Sequence, residues 1–88
     1  MNQAKIIELK NDIKEIENLL NTEPFDMDKG ISILEKHKKK DVNVAAVNSP
    51  LTPNFVPYRY ATDEMLKNNL FHLMEYLSSQ LAIESAKV

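Results

Sequence analysis

Residues 3–21, QAKIIELKNDIKEIENLLN, carry the clearest helical pattern in the chain. Ile6, Leu9, Ile13, Ile16 and Leu20 follow one another at spacings of 3, 4, 3 and 4, which keeps them on one face of a helix. Ile7 and Leu19 are expected to widen the stripe, and Lys, Glu, Asp and Asn to fill the opposite face. Asn21-Thr22-Glu23-Pro24 ends the pattern, because proline disfavours the helical conformation in the residue before it. The expected first helix spans about 3–21.

Working outward, Asp26 or Asp28 suits the start of a second helix, since either carboxylate can accept the orphan amide hydrogens of a first turn. Met27, Ile31 and Leu34 would share one side of it. Gly30 costs such a helix about 1 kcal/mol relative to alanine. The lysines at 36 and 38–40 match the partial negative charge of a helix C-terminus, so this element is expected over about 27–40. Thr62, followed by Asp63 and Glu64, opens a third helix over about 63–85. Leu66, Leu70, Leu73, Met74, Leu77 and Leu81 form its apolar face, with Phe71, Tyr76 and Ile83 off to its sides.

Between the last two helices, residues 41–61 are of another character. Val42, Val44 and Val47 suggest a short extended stretch, and Pro50, Pro53 and Pro57 exclude helix around them. Leu51, Phe55, Val56, Tyr58 and Tyr60 are costly to leave in water and should cover the helices. The reading is an all-α chain: a small helical bundle of two long helices and one short one, with an extended Pro-rich connector over 41–61. Residues 1–88 form one domain.

Composition narrows the function. The 88 residues include no cysteine, no tryptophan and one glycine, so neither a disulfide nor a phosphate-cradling Gly-rich loop is available. No metal or cofactor is expected. Asp26-Met27-Asp28-Lys29-Gly30 has the opening of a calcium loop, but the glycine falls one position early and His37 stands where a bidentate glutamate is required. His37, among lysines, is expected at the surface, and His72 beside the connector. Neither is coupled in sequence to a nucleophile, so no catalytic residue is assigned and no small-molecule substrate is expected. No apolar run approaches the ~18 residues of a membrane span, and Met1 to Lys5 lacks a signal region. A cytoplasmic protein is expected.

Charge is segregated along the chain. Residues 1–28 sum to −4, residues 29–40 to +4 and residues 41–88 to −2, which gives the overall −2. The basic cluster Lys36, Lys38, Lys39 and Lys40 could contact nucleic acid, yet the acidic total is the wrong sign for a dedicated binder. What remains is surface for proteins. The helix seams, Ile6, Leu9, Ile13, Ile16 and Leu20 with Leu70, Met74, Leu77 and Leu81, are the candidate interface, and Phe55, Tyr58, Arg59 and Tyr60 are candidate partner-binding residues.

The charges beside the first seam bias its pairing. In a parallel homodimer Lys5 would meet Lys10, and Asp12 would meet Glu17; an antiparallel pair sets Lys10 against Glu17 instead. The first helix should therefore pack antiparallel, on the third helix or on a second copy. The expected function is that of a non-enzymatic protein–protein interaction module, with a homo-oligomer anticipated. A small nucleic-acid-associated regulator is the alternative.

Overall fold

A computed structural model describes residues 3–43 and 55–87. The chain is an all-α bundle, with three helices among the described residues: α1 (Gln3–Leu20), α2 (Met27–Lys36) and α3 (Asp63–Ala86). A two-stranded antiparallel ladder joins β1 (Val42–Asn43) to β2 (Phe55–Val56), with Val42 opposite Val56 and Asn43 opposite Phe55. A single 3-10 turn follows over Tyr58–Tyr60. Val44, Val47, Pro50, Leu51 and Pro53 lie outside the described residues.

Each helix stops where side chains meet its orphan backbone groups. At the end of α1, the Thr22 hydroxyl donates to the Asn18 carbonyl at 2.7 Å, and the Asn21 side-chain amide donates to the Glu17 carbonyl at 3.0 Å. Asp26, rather than Asp28, is the N-cap of α2, its carboxylate accepting from the Lys29 amide at 3.1 Å. The Thr62 hydroxyl accepts from the Met65 amide at 3.2 Å, with Asp63 and Glu64 in the first turn of α3.

The second helix is shorter than the lysine run suggests. It ends at Lys36 rather than Lys40, because Lys38 takes a left-handed backbone conformation (φ 63°). That turn sends the Lys39 amide back to the Leu34 carbonyl at 2.9 Å, closing the helix in the way a C-terminal αL residue does. Gly30 also has a packing reason. A Cβ placed there would lie 3.1 Å from the Phe25 ring and 3.4 Å from a Leu70 methyl, so the missing side chain lets α2 approach its neighbours.

Leu9, Ile16 and Leu19 of α1, Ile33 and Leu34 of α2, Val42, Ala61, and Leu66, Leu70, Leu73 and Leu77 of α3 form one buried core. The Lys67 ammonium lies 5.4 Å from the Phe25 ring, just past the end of α1. The end of α1 thus sits beside the start of α3, and the two long helices run antiparallel. The Asn69 side chain anchors β1 to α3: its amide nitrogen donates to the Asn43 carbonyl and to the Met65 carbonyl, and its oxygen accepts from the Asn43 amide, each at 2.9 Å.

Three expectations about single residues change. Ile7 does not widen the stripe and is 57% exposed. Asp12, assigned to the polar face, is 7% exposed and faces inward. Phe55 and Tyr60 do not cover the helices; they are 58% and 65% exposed.

Candidate interaction surface

On α1 the fully buried positions Leu9, Asp12, Ile16 and Leu19 do not bisect the predicted seam. At 100° per residue they lie toward one flank of it. That flank carries α2: an open groove of about 420 Å³ is lined by Asn11, Lys14, Glu15, Asn18 and Leu19 of α1 together with Thr22, Asp26 and Lys29. Ile6, Ile13 and Leu20 occupy the other flank and are only half buried.

The third helix is arranged in the same way. Asn69, His72, Leu73 and Tyr76 line a groove of about 360 Å³ shared with Leu34, Lys39, Asp41, Asn43 and Phe55, on the side of α2 and the ladder. Met74 and Leu81 are half buried on the opposite flank. Since α2 and the ladder lie over one side of the antiparallel pair, the remaining flanks of both long helices share the other side, where none of the other described elements covers them. Of the seam residues, Leu9, Ile16, Leu70 and Leu77 are spent on the internal core. Ile13, Leu20, Met74 and Leu81 are partly buried and packed against that core; by helical phase they and the half-buried Ile6 fall in a strip on its outer edge, next to exposed Lys10, Glu17, Phe71 and Ser78.

The buried carboxylate of Asp12 explains where the basic cluster begins. Its Oδ1 accepts a hydrogen bond from the Lys36 ammonium at 2.9 Å, and its Oδ2 lies 3.8 Å from Nε2 of His37. The hydrogen bond from Lys36 to Asp12 holds the lysine pKa above its ordinary value, with the charges of Asp12, Glu15 and Glu8 adding to the effect against some desolvation. His37 is therefore not a surface residue among lysines; its side chain is 19% exposed and turned to Asp12. Lys38, Lys39 and Lys40 remain exposed. Periodicity alone could not find Asp12, because its partners come 24 residues later or more.

The aromatic segment is divided. Tyr58 is half buried and its hydroxyl donates to the Lys39 carbonyl, tying the 3-10 turn to the end of α2. Burial raises the Tyr58 pKa, and the nearby Glu35 and Asp41 charges raise it further. Arg59 lies over the exposed Tyr60 ring at 4.9 Å. His72 pairs with Glu75 at 3.3 Å on the surface of α3 and meets Phe71 edge-on at 6.2 Å.

Among the described residues no three His, Asp or Glu side chains group as metal ligands. No helix there is long and apolar enough to cross a membrane. No family model matches the chain, and no curated protein or solved structure matches it.

Proposed function

We propose that the chain is a non-enzymatic protein–protein interaction module of the cytoplasm, acting through the uncovered side of α1 and α3. The observation that carries this reading is the placement of Ile6, Ile13, Leu20, Met74 and Leu81, half buried and all on the side that α2 leaves open. A two-helix face of this kind is completed by another amphipathic layer, as in larger helical bundles. The partner is a protein, another copy of the chain or a different one, and its helices lie along the strip.

The nucleic-acid alternative has weaker support. Lys36 is committed to Asp12, and the chain as a whole carries −2.

A photo-crosslinking amino acid tests the surface in the cells that make the protein. Placed at Lys10 or Ser78, beside the strip, it is expected to form protein adducts. Placed at Lys29 or Glu64, away from the strip, it is expected to form none. Adducts that do not depend on position, or no adducts from Lys10 and Ser78, would remove the proposal.

A further inference from the structure

We infer that the partner is a second copy of this chain, related by a two-fold axis that lays α1 antiparallel on α1, with Lys10 of each copy opposite Glu17 of the other. This inference rests on the interaction-module reading and specifies its partner.

The open flank of α1 reads nearly the same in both directions. Ile6 and Leu20 stand seven residues either side of Ile13, and Lys10 and Glu17 stand symmetrically about the peptide bond after Ile13. An antiparallel two-fold there sets Ile6 against Leu20 and each lysine against a glutamate, each contact made twice, with Ile13 meeting its own copy on the axis. Both charged side chains are exposed and neither has an ion-pair partner among the described residues. The same stripe laid on itself in parallel would offer Lys10 no such match.

The shape of the molecule suits such a pairing. The molecule measures 45 × 29 × 18 Å, and its short dimension is about two helix layers deep. Pairing the open faces converts this slab into a thicker bundle whose apolar strip is covered.

Sedimentation equilibrium of the purified full chain, from micromolar to millimolar concentration, is the test, with circular dichroism as the check on folding. The wild type is expected at twice the 10.1 kDa monomer mass. Lys10→Glu and Glu17→Lys, both at exposed positions, should each raise the dissociation constant roughly four- to thirtyfold, because each turns two attractions into two repulsions. The double variant should return to near the wild-type value, and Ile13→Lys should remain folded and become monomeric. A wild type that stays monomeric throughout overturns the inference, as does a dimer indifferent to the single reversals or not rescued by the double one. A monomer in vitro that still crosslinks through Lys10 and Ser78 to a different protein removes only the second-copy inference. A monomer with no such adducts removes the interaction-module reading as well.

Discussion

Replacing Asn69 by alanine removes three hydrogen bonds of 2.9 Å at once: two that hold the backbone of Asn43 and one to the Met65 carbonyl. Each such bond contributes about 0.5–1.5 kcal/mol net. The two to Asn43 are solvent-exposed and belong at the lower end, so the three together amount to about 2 kcal/mol. Alanine returns about 0.5 kcal/mol through its better helix propensity. The expected loss is therefore about 1.5 kcal/mol, or roughly 6–12 °C in Tm for a domain of this size. Asn69→Asp should cost more. It keeps the acceptor for the Asn43 amide but turns an oxygen, not an N–H, toward the carbonyls of Asn43 and Met65. Thermal unfolding followed by circular dichroism orders the three proteins, and hydrogen exchange reads the Asn43 amide directly, which should lose protection in the alanine variant. An alanine variant as stable as wild type, or an aspartate variant at least as stable as the alanine one, would refute the clip between α3 and β1.

Two further outcomes follow from the buried charge and the tyrosine. Lys36→Ala strands the Asp12 carboxylate, 7% exposed, with only His37 at 3.8 Å, whereas Asp12→Asn leaves Lys36 free to turn to solvent. Urea unfolding should therefore show a loss of about 2 kcal/mol for the lysine change and about 1 kcal/mol for the asparagine change, and the reverse order would refute the ion-pair assignment. For pH, Lys36 and Tyr58 both have folded pKa values raised above ordinary ones of 10.5 and 10.0. The folded state then holds more protons than the unfolded state just above pH 10, so stability is full below that pH and falls as pH rises through the shifted values. Tyr58→Phe should flatten the fall in Tm above pH 10, and an unchanged slope would contradict the burial assigned to that phenol.

The parts of this fold that were legible in the sequence are those whose causes are local. The 3-4 alternation from Ile6 to Leu20, a cap at Asp26 or Asp28, the cap at Thr62 and the leucine face of α3 each depend on residues within a few turns. The parts that escaped depend on distant chain. Asp12 reads as a surface residue until Lys36 and His37 are brought beside it. The stop at Lys36 reflects the backbone of Lys38, which a run of lysines does not disclose. The short extended stretch expected at Val42 is β1, but its pairing with Phe55–Val56 has too little pattern to read from sequence, and β1 is held by an amide from α3. On the candidate surface, the sequence marked nine seam residues without distinguishing core from exposed flank. That division follows from which side α2 covers, a tertiary fact.

The brevity of α2 has a consequence for how the molecule opens. Its 10 residues span about 15 Å, against about 27 Å for α1 and about 36 Å for α3. The lock between Asp12 and Lys36 marks how far along α1 it reaches. Beyond that point the first turns of α1 and the last turns of α3 support one another, and among the described residues no third element lies above them. Fluctuations therefore start at that pole and travel toward Phe25, as a zip opens from its free end. Amides near Ile7 and Ile83 exchange first, and those around Leu34 and Leu70 last.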